Sequence, residues 1–168
     1  MVSIRKMTSA DWPKVKEIYA EGLATKLATF ETAVPDWKQW NEKHHSFCRH
    51  VIEKGETTAG WAALSPVSPR YVYRGVAEVS IYVRSDMGGM GLGTRLLSHL
   101  IEESEAHGIW TLQAVIFSRN MVSRRMHERA GFREVGYREK IASLNGVWHD
   151  TILMERRSPA VSEEEQHA

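Results

Sequence analysis

Residues 86–94 read DMGGMGLGT, with four glycines (Gly88, Gly89, Gly91 and Gly93) inside six positions. Glycine loses more backbone entropy on folding than any other residue, so this clustering points to something that must approach the main chain closely. Three anion-binding patterns can be tested against it. The dinucleotide fingerprint G-x-G-x-x-G fails, because it needs glycine at Thr94, or glycine or alanine at Leu96. The phosphate loop G-x-x-x-x-G-K-[ST] matches at Gly88 and Gly93, but Thr94 stands where a lysine must reach the terminal phosphates. A looser pattern fits: a strand, a glycine turn exposing backbone N–H groups, and a helix N-terminus that adds its dipole. Such a turn cradles a pyrophosphate through Gly89, Gly91 and Gly93, with the Thr94 hydroxyl added. A merely flexible connection is the alternative.

Other residues could do chemistry near it. Glu78 stands in VAEVSIYV among apolar neighbours, where an unpaired carboxylate is costly. It is either a base or an edge-strand glutamate that faces water or pairs with Arg74. His127 is either an acid–base group working near neutral pH or a packed, hydrogen-bonded histidine. Asn120 opens a helical run and can cap it. Arg70 and Arg74 flank Tyr73, and arginine binds carboxylates bidentately, although an isolated arginine is also an ordinary surface charge. His44, His45, His50, His99 and His107 show no ligand spacing, so no metal is expected.

The elements that must position these groups follow from periodicity. VSIRKMT alternates as a first strand. A helix then starts at Ser9 or Asp11, with Pro13 in its first turn and Val15, Ile18 and Tyr19 on one side. LATFETAVP is a loop. Asp36 caps a second helix that carries Trp37, Trp40, His44, Phe47 and Cys48 at helical spacing. KGE turns into the strand TTAGWAAL, and SPVSPRYVYRG is a loop or edge segment. VAEVSIYV places Ala77, Val79, Ile81 and Val83 on one face and Glu78, Ser80 and Tyr82 on the other. After the glycine loop, Leu96, Leu97, Leu100 and Ile101 mark a helix that stops at Gly108. WTLQAVIF is a strand covered on both faces, NMVSRRMHERAG a short helix, and FREVGYRE and GVWHDTILMER two closing strands turned at Asn145-Gly146. The order β-α-α-β-β-loop-α-β-α-β-β predicts an α/β or α+β fold around a mixed sheet. It forms one domain over 1–157, with a polar tail over 158–168.

Of 168 residues, 42% are hydrophobic and 26% charged, with a formal net charge of +1. That balance gives no sign of nucleic-acid or anionic-membrane binding. No apolar run approaches the ~20 residues of a membrane span. A single cysteine, Cys48, excludes an internal disulfide framework. A soluble cytoplasmic protein is the expectation.

AEVSIYVRSDMGGMGLGTRLLSHLIEE resembles the acetyl-CoA-binding core of the GCN5-related N-acetyltransferases (GNAT), and NMVSRRMHERAGF the helix that follows it there. ATFETAVP, AEVSIYV, MHERAGF and GVWHD together resemble the phosphinothricin and methionine sulfoximine acetyltransferase branch, over roughly residues 3 to 156. The superfamily loop is usually Q/R-x-x-G-x-G/A. Gly91 and Gly93 match it, Gly88 replaces the expected Gln or Arg, and Met90 replaces a common lysine.

The resemblance implies a mostly antiparallel sheet that splays at the cofactor strand. It also implies an acetyl-CoA cofactor, transfer to the α-amino group of a small amino-acid-like molecule, and a homodimer; a polyamine, an aminoglycoside or a protein N-terminus as acceptor, and a non-catalytic acyl-CoA-binding module, are the alternatives. Direct attack on the thioester is expected because Cys48 lies on a predicted helix far in sequence from the cofactor motif. The amine must lose a proton, since an α-amino group has a pKa of about 8, and Glu78 is the implied base. His127 stands where relatives carry the acid for the leaving thiolate. The cofactor is held by the backbone of Ile81, Tyr82 and Val83, by the loop (Gly88, Gly89, Met90, Gly91, Leu92, Gly93 and Thr94), and by Asn120 and Ser123. The amine site draws on Phe30 and Glu31 in the 27–35 loop, on Arg70, Tyr73 and Arg74, and on Trp148 and His149. Trp37 and Trp40 are expected in the core.

Overall fold

The computed structural model describes residues 1–162. Seven strands form one sheet in the order β1-β2-β3-β4-β5-β7-β6. They are β1 (Val2–Lys6), β2 (His50–Lys54), β3 (Thr57–Pro66), β4 (Val76–Val83), β5 (Thr111–Phe117), β6 (Arg133–Leu144) and β7 (Val147–Arg157). Four helices cover it: α1 (Trp12–Ala24), α2 (Trp37–Lys43), α3 (Leu92–Ala106) and α4 (Met121–Arg129). All neighbours are antiparallel except β4 and β5, which are parallel. The mixed α/β architecture matches the expectation.

The period-two pattern of the strands builds two cores. On one face Leu96, Leu97 and Leu100 of α3 pack on Ile52, Ala62, Leu64, Ala77 and Leu112. On the other, Val15, Ile18 and Tyr19 of α1 and Trp40 of α2 pack on Val51, Trp61 and Ala63. Trp40 is buried and Trp37 stacks against it.

Three boundaries differ from the sequence reading. Asp36 does cap α2, accepting from the Gln39 N–H (2.8 Å), but the helix ends at Lys43 rather than running to Cys48. The Arg49 guanidinium binds the carbonyls of Asn41, His44 and His45, and Cys48 takes a left-handed φ of 58°. The chain is thereby turned out of the helix and into β2, a strand the reading missed. β6 continues to Leu144, past an irregularity between Arg138 and Ala142 where Lys140 has φ 45° and donates its N–H to Asp150. The Asn145-Gly146 turn is present, with φ of 51° and 79°. In the expected tail Ser158 and Val161 are buried, and residues 163–168 lie outside the described residues. No helix among the described residues is long and apolar enough to cross a membrane.

Candidate active site

β4 and β5 pair only from Val76↔Thr111 to Glu78↔Gln113. Beyond that point β5 stays with β7 to Phe117 and β4 stays with β3 to Val83. The two strands therefore diverge, and a cleft of about 310 Å³ opens between them, within the usual range for small-molecule sites. The Arg84 N–H donates to the Ala59 carbonyl. Antiparallel alternation then directs the backbone groups of Tyr82 toward β3 and those of Val79, Ile81 and Val83 toward the cleft. Of the three strand-end residues expected to offer backbone, Ile81 and Val83 turn theirs away from β3, whereas Tyr82 spends its backbone on β3 and lines the cleft with its side chain.

Glu78 lines the cleft at the fork. It is neither at an edge nor paired with Arg74. Its Oε1 accepts from Gln113 Nε2 at 3.0 Å, on the last rung of the β4–β5 ladder. Ser80 and Tyr82 share its face and line the same cleft. Burial holds the hydroxyls of Tyr82 and Tyr19 above their ordinary pKa, so both are protonated and can donate.

The glycine loop follows β4 through a single helical turn, Ser85–Met87. Its glycines have different reasons. Gly89 and Gly91 adopt φ of 77° and 75° with open space where a Cβ would project, and Gly91 is the N-cap of α3. These two need glycine for conformation. Gly93 is helical, and a Cβ there would meet Met126 Sδ at 3.0 Å, so it serves α3–α4 packing. Gly88 has ordinary extended geometry (φ −66°, ψ 153°) and nothing nearer than the Ser85 oxygen at 4.0 Å. The first-turn N–H groups of Leu92, Gly93 and Thr94 have no intrahelical acceptor. This open, amide-lined turn at the mouth of the cleft fits a pyrophosphate.

On α4, Asn120 Oδ1 accepts from the Ser123 N–H (3.2 Å), so the capping reading holds. Its Nδ2 also reaches the Leu27 carbonyl at 3.5 Å, tying α4 to the 27–35 loop. Asn120, Ser123 and His127 all line the cleft. His127 is 4% exposed. Its Nδ1 donates to the Ser123 carbonyl (2.8 Å), while its Nε2 is buried without a protein partner. Burial lowers its pKa below the usual histidine value. At neutral pH it is thus a neutral imidazole that accepts at Nε2, and it can act as an acid only after taking up a proton.

The 27–35 loop closes one side. Phe30 packs on Phe117 (4.6 Å between ring centroids) and lines the cleft with Thr29 and Glu31. His149 stacks behind Phe117 (4.8 Å) and supports this wall without lining the cleft. Trp148 is 61% exposed and also lies outside the lining.

Arg70 and Arg74 flank the Tyr71–Tyr73 turn before β4, and neither they nor Tyr73 are among the lining residues. Arg74 is sandwiched between Tyr71 (4.1 Å) and Trp110 (5.2 Å), and Arg70 lies over Tyr73 (5.6 Å). Among the lining or supporting residues that sequence reasoning missed are Tyr19, Ser80, Phe117, Gln113 and Lys43. Lys43 ends α2 and is the one ammonium on the cleft wall among the described residues, where it faces no ion-pair partner. Cys48 lies elsewhere, buried in a separate cavity, its thiol pushed up to about 12 by desolvation. Among the described residues no cluster of three or more His, Cys, Asp or Glu could hold a metal.

The family model described as "Acetyltransferase (GNAT) family" matches residues 4–132. The L-methionine sulfoximine/L-methionine sulfone acetyltransferase of Pseudomonas aeruginosa is 30% identical over 159 residues, covering 91% of this chain and 92% of that protein. The phosphinothricin N-acetyltransferase of Alcaligenes faecalis is 30% identical over 165 residues (92% and 81%). Among solved structures, a phosphinothricin acetyltransferase from Sinorhizobium meliloti in complex with acetyl-CoA superposes with a TM-score of 0.85 at 26% identity, covering 97% of this chain and 96% of that one. The ribosomal-protein-alanine N-acetyltransferase of Brucella melitensis gives 0.87 at 31% identity (93% and 99%).

Proposed function

We propose that this chain, which belongs to the GNAT acetyltransferase family and uses acetyl-CoA, acetylates the α-amino group of a small amino-acid-like substrate. Phosphinothricin and methionine sulfoximine or sulfone are the model acceptors. The observation that carries the reading is the Glu78 carboxylate at the fork of β4 and β5, with Lys43 on the same cleft wall.

The cofactor supplies an activated acetyl group as a thioester. The loop amides and the first turn of α3 hold its pyrophosphate, and the cleft-facing backbone of Ile81 and Val83 holds its arm. On the face shared by Glu78, Ser80 and Tyr82, Glu78 takes the first proton from the substrate ammonium, directly or through a water, and returns it to solvent. Gln113 keeps the carboxylate pointed into the cleft. Acylation releases a second proton from the same nitrogen. His127 Nε2, neutral and unpartnered, takes that proton and passes it to the departing sulfur, which balances the reaction. The implied acid role of His127 is kept in this form, as the second half of a relay.

Lys43 and the acids Glu31 and Glu78 give the wall both signs of charge. A zwitterionic amino acid matches that arrangement: its ammonium goes to the carboxylates and its carboxylate or phosphinate to the ammonium. A polyamine or aminoglycoside would be repelled by Lys43, and a peptide N-terminus lacks the neighbouring carboxylate. Arg70 stays a proposed second contact for the acid group. The Arg74 guanidinium is held between Tyr71 and Trp110 and donates from Nη1 to the Tyr71 carbonyl, while its Nη2 is buried without a partner.

A homodimer is part of the proposal. β6 is one of the two sheet edges, and Tyr137, Ile141, Val147 and Trp148 are exposed on its hairpin with β7. A cytoplasmic location completes it.

Glu78→Gln tests the chemistry. With methionine sulfone at saturation, kcat falls on the order of 10²-fold or more, while acetyl-CoA affinity by calorimetry stays at the wild-type value. Unchanged kcat would remove Glu78 as the base. A panel of amino-acid analogues, read by release of free coenzyme A thiol, tests the substrate class.

A further inference from the structure

We infer that Lys54, on the β2–β3 hairpin, is a cofactor-binding residue whose ammonium supplies the positive charge the glycine loop lacks. Between Asp86 and Thr94 the loop carries no cationic side chain. The nearest arginine before it, Arg84, is committed to Asp86 through two hydrogen bonds of 3.0 and 2.9 Å. Arg95, the fourth residue of α3, is exposed and belongs to the helix rather than to the loop. A pyrophosphate seated there meets backbone dipoles alone unless charge arrives from another element.

The sheet brings it. The start of β3 pairs with the end of β4 (Gly60↔Val83), which sets the β2–β3 turn beside the loop. Lys54, paired with Thr57 across that turn, extends to Met90 and places Nζ 3.5 Å from its Sδ. A thioether is only a weak acceptor and leaves the ammonium charge uncompensated. Glu53 pairs with Arg5 (2.6 Å) and Asp86 with Arg84 (2.9 Å); Glu56, exposed in the same turn, makes no ion pair with Lys54, which joins none among the described residues. Met90 is half exposed and serves as the apolar rest for the lysine stem. The ammonium therefore lies about where a lysine at position 90 would end, delivered from a different strand.

The test is binding, read by calorimetry on the full chain. Lys54→Met raises the Kd for acetyl-CoA about three- to tenfold at low salt, the scale of one exposed charge acting on a multiply charged anion. The difference shrinks at 0.5 M NaCl as screening sets in. The KM for acetyl-pantetheine, which has no phosphate, is unchanged by the substitution. Adding Met90→Lys to Lys54→Met restores affinity. Wild-type affinity and salt dependence in Lys54→Met would overturn the inference. So would an equal loss toward acetyl-pantetheine, which would mean damage to the hairpin. Failure of the wild type itself to bind acetyl-CoA is a separate outcome, and it would overturn the cofactor premise along with the inference.

Discussion

Acid should destabilise this protein well above the range where its carboxylates protonate, and the histidines lowered furthest by burial, His44 and His50, carry most of the effect. His44 stacks on Trp40 at 4.2 Å and donates Nδ1–H to the Trp40 carbonyl at 2.7 Å. His50 packs edge-on to His99 at 4.4 Å, with its Nδ1 buried and unpartnered. Burial lowers each from 6.5 to about 4. Lys43 and Arg49 add repulsion at His44, and His99, Lys6 and His107 at His50, where Glu103 opposes them. A histidine depressed in the folded state binds more protons when unfolded, so stability rises with pH across this interval. No penalty applies above pH 6.5. It grows as pH falls from there and is complete below about 4. Between pH 7.5 and 5.0 each of these two should remove about 2 kcal/mol, or about 4 kcal/mol together, and His127 and His45, also lowered by burial, add in the same direction. That is a large share of a typical 5–15 kcal/mol. Urea unfolding followed by tryptophan fluorescence should show the midpoint falling by roughly 2 M. Asp11, whose carboxyl is held low by the Arg5 guanidinium, loses its contribution only below its ordinary pKa near 4, outside this window. His50→Leu removes an unpartnered polar atom and should cut the loss between pH 7.5 and 5.0 by about 2 kcal/mol. Equal midpoints at pH 7.5 and 5.0, or an unaltered slope in His50→Leu, would refute the reasoning.

Lys43→Met should raise the KM for methionine sulfone about tenfold and leave the KM for its carboxamide unchanged, as measured by thiol release. A common effect on both would take the anionic group away from Lys43. Gly91→Ala should cost about 1–2 kcal/mol in melting experiments, because a Cβ is strained at φ 75°. Gly88→Ala, at an unstrained position with open space, should be neutral or stabilising by about 0.5 kcal/mol. Cys48→Ala should keep full turnover, since this thiol lies outside the cleft and burial keeps it protonated. Complete loss of activity in a folded Cys48→Ala variant would instead argue for a covalent acetyl-cysteine.

What could be read from the sequence was what local chemistry fixes. The strand–glycine–helix unit declares itself because alternation, glycine and a leucine stripe are all nearest-neighbour signals. Glu78 is conspicuous because a carboxylate interrupts an apolar strand. The end of α2 and the whole of β2 escaped because Trp37, Trp40, His44 and Phe47 continue a helical rhythm. The stop comes from Arg49 reaching back to three carbonyls, a contact that periodicity does not encode. Gln113 and Lys43 escaped for the same kind of reason. Gln113 meets Glu78 only through the register of two parallel strands 35 residues apart, and Lys43 reaches the cleft only because α2 is short. Residue type could likewise not tell that Arg74 spends its guanidinium on Tyr71 and Trp110.

The alternation of β4 divides the work of the site. The side chains of Val79, Ile81 and Val83 pack on the α3 core, while their backbone groups face the cleft. Glu78, Ser80 and Tyr82 turn their side chains to the opposite face, where α2 and the 27–35 loop stand. In the proposed function, cofactor recognition therefore rests on main chain and on the glycine loop, and acceptor recognition on side chains from α2 and the 27–35 loop. Changes at Phe30, Glu31 or Lys43 can retune the acceptor without disturbing the strand that grips the cofactor. Conversely, the loop can lose its own cations at positions 88 and 90 and draw one from the β2–β3 hairpin without altering the amine site. The two halves meet at Glu78 and His127, which border both. There a substitution should change kcat for every acceptor alike, and this separates them from residues that only choose among acceptors.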